Sequence, residues 1–212
     1  TVGNVLDDSS FEKSTVWTAS SSAVTCSATT YSSAVHGNMV LKLNRATAGA
    51  AAGVYSPSFS VGANETYTFS AYIKTGGLSA YLELNDGNTS VTSEVLAANS
   101  DWTRLEVSYS ASANKTVNAW LKTTGSGTIY MDCVQVEKAA TASRYNLVQN
   151  GDFRYTSDWS ATSGRITAEN AGIESAPALE LSSDVYSITG SPSSKIRVSQ
   201  TVSVSGQKDD CF

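Results

Sequence analysis

The stretch Tyr67-Thr-Phe-Ser-Ala-Tyr-Ile-Lys74 alternates between two kinds of side chain. The odd positions hold an apolar set, Tyr67, Phe69, Ala71 and Ile73, and the even positions hold Thr68, Ser70, Tyr72 and Lys74. Successive side chains of a β-strand point to opposite faces of a sheet. This period of two therefore predicts a strand with its odd residues in a core and Tyr72 on the outer face.

The same period recurs along the first 137 residues. It predicts strands around residue 17 and at residues 40–44, 59–61, 67–74, 80–85, 104–109, 117–122 and 129–136. Segments rich in Gly and Asn separate these strands, and no stretch has the period of a helix. Eight short strands at this spacing predict an all-β fold, an antiparallel jelly-roll β-sandwich.

An opening motif occurs twice in the chain, at an offset of 142 residues. Its asparagine, phenylalanine and tryptophan keep the same spacing in both places, as Asn4, Phe11 and Trp17 and as Asn146, Phe153 and Trp159. The second occurrence can be followed to Phe212, the counterpart of Phe69. We therefore predict a complete module over residues 1–138, a short linker over residues 139–145 and the first half of a second copy over residues 146–212.

Half a sandwich exposes an apolar sheet face and unpaired strand edges, and it is not expected to be ordered alone. We therefore expect that further domains of a longer parent chain follow Phe212, or that a neighbouring copy or module covers the half-module. The first of these two alternatives is favoured.

Composition excludes several classes of function. Only 16% of residues are charged, the net charge is −5, and the 14 basic residues are scattered, which argues against a nucleic-acid groove. No apolar run is long enough for a transmembrane helix, so no membrane insertion is expected. No spacing singles out a pair among the 19 acidic residues as catalytic, and we predict that the chain is not an enzyme.

Four segments together resemble the carbohydrate-binding modules of families 4, 9 and 22, which are galactose-binding-like jelly rolls. They are the motif that begins at Asn146, the strand 67–74, the triplet Trp102-Thr-Arg104, and the stretch Ile129-Tyr-Met-Asp-Cys-Val-Gln-Val-Glu137. The link from Glu137 to Asn146 is similar to tandem modules of bacterial wall-associated proteins with YD (Rhs-type) repeats. The resemblance implies an extracellular or cell-wall-associated module that binds a polysaccharide or other glycan on the concave face of one sheet.

Strand order and parity predict where a glycan would bind. In a jelly roll the second, fourth, fifth and seventh predicted strands share one sheet, which would place Lys42, Tyr72, Tyr81 and Trp120 on one outer face. Aromatic rings stack on pyranose rings, and nearby polar groups contact sugar hydroxyls. The predicted ligand-binding residues are Tyr72, Tyr81, Glu83, Asn85, Asn118 and Trp120. The alternative is that these rings pack under a loop or against the neighbouring module.

The resemblance also implies a structural calcium ion near the chain ends of the module. The matching acidic residues are Glu12, after the opening motif, and Asp132, in the closing strand. This chain departs from the family at Cys133, where a second acid is common, and at Arg154, which replaces the glutamate in the second copy. The alternative interpretation is two surface acids without a metal.

Two other functions stay open from the sequence. The chain could be a structural spacer or adhesion module of a large surface protein without sugar binding. It could also be an accessory region of a glycoside hydrolase.

Overall fold

Eleven β-strands and no helix make up the first part of the chain in its structure, a computed structural model that describes residues 4–143. Beyond residue 143 it describes only the backbone of four short strands, at residues 160–161, 165–169, 178–182 and 198–199. The chain divides into two units, residues 1–145 and residues 146–212.

The strands of the first unit form two antiparallel sheets that face each other. In chain order they are β1 (Thr18–Ala19), β2 (Val24–Thr30), β3 (Met39–Arg45), β4 (Ala52–Tyr55), β5 (Phe59–Val61), β6 (Thr66–Gly76), β7 (Tyr81–Asn85), β8 (Ser90–Thr92), β9 (Thr103–Ser110), β10 (Lys115–Thr123) and β11 (Gly127–Glu137). Sheet A has the order β1-β4-β10-β7-β8, with β5 also paired to β10, and sheet B has the order β2-β3-β11-β6-β9. The all-β sandwich predicted from the alternation is confirmed.

The core between the sheets is filled by the apolar sets that the alternation selected. Phe69, Ala71 and Ile73 of β6 are fully buried, and so are Ala119 and Leu121 of β10. Burial of such side chains contributes about 25 cal/mol for each Å² of apolar surface removed from water, and it is the main term that holds the two sheets together.

The opening motif joins the start of the module to its last strand. The Asn4 side-chain amide donates to the carbonyl of Val134, and its oxygen accepts from the backbone N–H of Val136, both at 2.8 Å. Phe11 and Trp17 are buried in the core with their rings edge to face at 6.4 Å. In the opening motif Asn4 therefore bonds the start of the module to β11, and Phe11 and Trp17 fill part of the core.

The first unit has eleven strands within residues 4–143, whereas the sequence indicated eight. The three strands that were not predicted are β2, β4 and β8. Strand β2 reads Val-Thr-Cys-Ser-Ala-Thr-Thr, an edge strand with only one buried residue, so it carries little apolar alternation. Strand β4 does not alternate, since Ala52, Gly53 and Val54 are all buried, and β8 has no buried residue, so neither has the pattern of a half-buried strand.

In the second unit two strand pairs are described. Strand β12 (Ser160–Ala161) pairs with β15 (Val198–Ser199), and β13 (Arg165–Glu169) pairs with β14 (Ala178–Ser182), all antiparallel. The first unit has the same order of pairing, β1 with β4 and β2 with β3. That residues 146–212 begin a second copy stays a prediction, and Phe153, Trp159 and Phe212 lie outside the described residues.

The segment after β11 is bound to the outer face of sheet B. Thr68 donates its hydroxyl to the carbonyl of Ala139 at 2.7 Å, and the Arg104 guanidinium donates to the carbonyl of Ser143. The N–H of Ser143 donates to the Glu137 carboxylate at 3.0 Å. The first residues of the predicted linker 139–145 are therefore fixed to the first unit.

Candidate functional site

The predicted grouping of six site residues on one sheet face is wrong for Tyr72. Tyr72 lies on β6 of sheet B, as Lys42 does on β3, whereas Tyr81 and Trp120 lie on β7 and β10 of sheet A. The outer faces of the two sheets of a sandwich point in opposite directions. The parity of Tyr72 was predicted correctly, but its sheet was not, and it cannot line one surface with the other five residues.

The other five predicted residues lie together on the outer face of sheet A. In the antiparallel register Trp120 is opposite Glu83, and Asn118 is opposite Asn85. Lys122, two residues beyond Trp120, is opposite Tyr81. Side chains of opposed residues lie on the same face about 5 Å apart. We call this surface the sheet A platform, formed by Tyr55, Tyr81, Glu83, Asn85, Asn118, Trp120 and Lys122.

Tyr55 is a platform residue that the sequence did not indicate. It ends β4, where it is opposite Trp120, and the two ring centroids are 4.5 Å apart with their planes at 36°. Gly53 permits this approach, since a Cβ at Gly53 would lie 2.0 Å from the carbonyl oxygen of Leu121 on β10. The sequence offered one indication of this role, a tyrosine that ends the stretch Ala50-Ala-Ala-Gly-Val-Tyr55, two residues before Pro57.

A charged network borders the two rings. The Lys122 ammonium lies 2.8 Å from Glu83 Oε1 and 4.5 Å from the centroid of the Trp120 ring. The Asn85 side-chain amide donates to the same Glu83 oxygen at 2.8 Å. Glu83 is only 4% exposed, so its charge is held by these two partners. The platform therefore combines the two aromatic rings with polar groups in fixed positions, and Glu83 neutralises the charge of Lys122.

The surroundings of Tyr81 and Asn118 determine how these two platform residues form hydrogen bonds. Burial, and secondarily the Glu83 carboxylate, raises the pKa of Tyr81. Its hydroxyl, like that of an ordinary tyrosine, is protonated at neutral pH and can donate a hydrogen bond. Asn118 donates its amide to the carbonyl of Ser56 at 2.8 Å. The groups of the platform suit the recognition of a polar, uncharged ligand, because the carboxylate of Glu83 is fixed by Lys122.

The two predicted calcium ligands both bind one loop. Asp132 is fully buried, and its Oδ2 accepts from the N–H groups of Val35 and His36 at 2.8 and 3.0 Å. Burial raises the pKa of Asp132 to about 6, against the opposing effect of the N–H groups of His36, Cys133 and Val35. Glu12 Oε1 accepts from the N–H groups that follow in the same loop, at Asn38 and Met39, both at 2.8 Å.

This donor set meets the needs of calcium only in part. Calcium takes six to eight oxygen ligands. In residues 4–143 no three His, Cys, Asp or Glu side chains are grouped as a metal site. Asp132 Oδ1 also accepts an N–H, that of Cys133 at 2.7 Å. Glu12 and Asp132 could bind an ion through their remaining lone pairs, and backbone carbonyls would have to supply most of the other ligands.

Comparison with known protein families assigns the chain to one of them. Residues 3–128 match a family model described as a carbohydrate binding domain, of the family 4 and 9 type. The chain belongs to this family of carbohydrate-binding domains, which confirms the resemblance seen in the sequence. Family membership indicates a binding module rather than a catalytic one. Among the curated proteins no significant match is found.

Solved structures are similar to this chain at low sequence identity. The tandem CBM22 domain of Xyn10C from Paenibacillus barcinonensis is 23% identical with a TM-score of 0.49, over 84% of this chain and 60% of that one. The enzymatically active domain of tailspike protein 4 from bacteriophage CBA120 is 13% identical with a TM-score of 0.50, over 64% of this chain. This chain spans 60% of the first of these structures and 21% of the second.

No helix among the residues that the structure describes has the length and apolar character that crossing a bilayer requires.

Proposed function

We propose that the first unit is a non-catalytic module that binds a neutral glycan on the outer face of sheet A. The observation that carries this proposal is the pair of Tyr55 and Trp120 rings, bordered by the Lys122–Glu83–Asn85 network. Partly exposed aromatic side chains grouped on a sheet face are typical of an interaction surface. Membership of a carbohydrate-binding family gives the class of ligand.

The platform is preorganised for such a ligand. The Trp120 ring packs against Tyr55 and lies 4.5 Å from the Lys122 ammonium, and Lys122 is held by Glu83, so these side chains lose little freedom when a sugar binds. The apolar faces of pyranose rings would lie on the two aromatic rings, and sugar hydroxyls would contact Tyr81, Asn85 and Lys122. An acidic sugar would gain nothing from Lys122, whose charge Glu83 already neutralises.

The wider setting of the module belongs to the same proposal. A module that binds polysaccharide acts where polysaccharide is found, so we infer a secreted or cell-wall-associated protein with further domains. In such a parent chain the module would hold a partner domain, for example a glycoside hydrolase, near its substrate. A spacer or adhesion role without sugar binding is the outcome that the next experiment would reveal.

The first prediction compares two tyrosines on opposite faces of the sandwich. Tyr55→Ala should weaken binding of a neutral polysaccharide about three- to tenfold, because it removes one of the two stacked rings. Tyr72→Ala, the same substitution on sheet B, should leave the affinity unchanged. A neutral glycan array selects the ligand, and affinity electrophoresis with the 212-residue chain measures both variants. Equal effects of the two substitutions, or no glycan bound by the wild type, would contradict the proposed function.

We also propose a structural calcium ion held by Glu12 and Asp132 with backbone carbonyls of the adjoining segments. Two carboxylates that converge on the loop of residues 35–39 support this proposal, because hard cations prefer charged oxygen ligands. An ion that binds only the folded state raises the melting temperature.

The second prediction concerns the effect of calcium on the melting temperature. Calcium at 1 mM should raise the melting temperature of the chelator-treated chain by several degrees, and Glu12→Gln should abolish most of that rise while it keeps an oxygen for the amides of Asn38 and Met39. Differential scanning calorimetry with and without calcium measures both. Identical melting temperatures for the wild type in chelator and in calcium would mean that the two acids only fix the loop.

A further inference from the structure

A second group of aromatic rings lies on the outer face of sheet B. The rings of Tyr31 and Tyr130 stack with their centroids 4.5 Å apart and their planes at 29°. Trp102 meets Tyr31 nearly at right angles, with centroids 6.2 Å apart. All three side chains are partly exposed. This group, which we call the sheet B cluster, shares no residue with the sheet A platform and lies on the other side of the sandwich.

Two lysines border the cluster. Tyr130 of β11 is opposite Lys42 of β3 on one side and opposite Lys74 of β6 on the other. Opposed side chains in antiparallel strands lie about 5 Å apart on the same face. Lys74 forms an ion pair with Asp101, whereas Lys42 forms none within residues 4–143. One uncompensated positive charge therefore lies beside the stacked rings.

Polar groups continue from Lys42 along the same face. Two residues further along the same two strands, Asn44 of β3 is opposite Thr128 of β11, and the Thr128 hydroxyl lies 2.6 Å from Asn44 Oδ1. Residues two apart on a strand point to the same face, so this pair lies beside Lys42 and Tyr130. The surface thus combines aromatic rings, one free ammonium group and side chains that can contact hydroxyls.

The cluster is not required to hold the loop that contains Tyr31. That loop is already bound through four N–H groups, those of Val35 and His36 on Asp132 and those of Asn38 and Met39 on Glu12. The indole N–H of Trp102 adds a fifth bond, to the carbonyl of Ser33 at 2.6 Å. The stacked tyrosines still stay partly exposed. Grouped rings that remain open to solvent beyond structural need are typical of a contact surface.

The two faces of the sandwich differ in charge. On sheet A the Lys122 ammonium is 2.8 Å from Glu83, whereas on sheet B no carboxylate of residues 4–143 is paired with Lys42. We propose that the sheet B cluster is a second glycan-binding surface, specific for an acidic sugar whose ring lies against Tyr31 and Tyr130 and whose carboxylate or sulfate binds Lys42. It goes beyond the proposed function, because it uses other residues and another class of sugar.

Calorimetric titration of the 212-residue chain tests this surface with three probes: tetragalacturonate for the carboxylate, a sulfated carrageenan tetrasaccharide for the sulfate, and cellohexaose as the neutral counterpart. At least one of the two acidic probes should bind, and its affinity should fall as the salt concentration is raised. Lys42→Gln should weaken its binding at least fivefold, with unchanged melting temperature and neutral-glycan affinity. Lys122→Gln, the matched substitution on sheet A, should leave the acidic probe unaffected.

Three results would overturn the second surface. They are no binding of either acidic probe to the wild type, equal binding by Lys42→Gln, and loss of acidic binding in Trp120→Ala, which would place the acidic sugar on sheet A. The proposed function fails separately, on the array of neutral glycans. A chain that binds a neutral glycan through Trp120 and no acidic probe keeps the sheet A platform and excludes the sheet B surface.

Discussion

Replacement of Trp120 by alanine is expected to weaken neutral-glycan binding about thirtyfold or more, a loss of roughly 2 kcal/mol. Trp120 contacts three parts of the platform, since its ring packs against Tyr55, lies under the Lys122 ammonium and is opposite Glu83 in the register. Its removal therefore takes away the larger ring and frees Tyr55 and Lys122 to move. Titration calorimetry with the glycan selected on the array measures the change.

Trp102→Ala is the matched control for this substitution. Trp102 is also a partly exposed tryptophan, but it directly precedes sheet B strand β9 and packs against Tyr31 of the sheet B cluster. The neutral-glycan affinity of this variant should stay within about twofold of the wild type. If Trp102→Ala abolished binding and Trp120→Ala did not, the binding face would be assigned to the wrong sheet.

Gly53→Ala is expected to destabilise the module by about 2 kcal/mol and to lower its melting temperature by roughly 5–10 °C. The added Cβ would lie 2.0 Å from the Leu121 carbonyl oxygen, and backbone on β10 cannot move aside as a side chain can. The pairing of β4 with β10 must then open, which would also separate Tyr55 from Trp120. A single methyl group should thus reduce both stability and glycan affinity, as calorimetric unfolding and titration would show.

Gly76→Ala provides the control with the same added methyl group. A Cβ there would lie 3.6 Å from the nearest atom, the carbonyl oxygen of Thr128, which is an ordinary contact. Its melting temperature should be equal to or slightly above that of the wild type, because alanine restricts the unfolded chain. A Gly53→Ala variant as stable as Gly76→Ala would show that β4 and β10 do not need this close approach.

Local alternation was sufficient to predict the strands that face the core on one side. Over residues 67–73 of β6 and 117–121 of β10 every second residue is apolar and buried, so the period of two gives both the strand and the outward parity of Tyr72 and Trp120. These features depend on neighbours one or two residues apart, which the sequence displays directly.

Sheet membership depends on pairing between distant segments, and here the sequence was insufficient. Because β2 is a polar edge strand and β4 has three consecutive buried residues in place of an alternation, neither entered the predicted strand order. Without them, the jelly-roll order placed β6 in the same sheet as β7 and β10, although it belongs to sheet B. Tyr72 was therefore assigned to the wrong face, and Tyr55 was not recognised at all.

For the polar residues of the platform, too, the sequence predicted what depends on one strand and not what depends on the pairing of two strands. Glu83, Asn85 and Asn118 were predicted because they alternate with core residues on their own strands. That Lys122 pairs with Glu83 could not be predicted, because it depends on the register between β10 and β7, 39 residues apart in the chain. The same holds for Glu12 and Asp132, whose common loop appears only once the two ends of the module are brought together.

A crystal structure of the 212-residue chain with its preferred neutral oligosaccharide bound would test the binding face most directly. We predict sugar rings stacked over Tyr55 and Trp120 on the outer face of sheet A, with hydroxyl contacts to Tyr81, Asn85 or Lys122. A neutral oligosaccharide bound on sheet B or at the loops between the sheets, with Tyr55 and Trp120 still open to solvent, would contradict the proposed site.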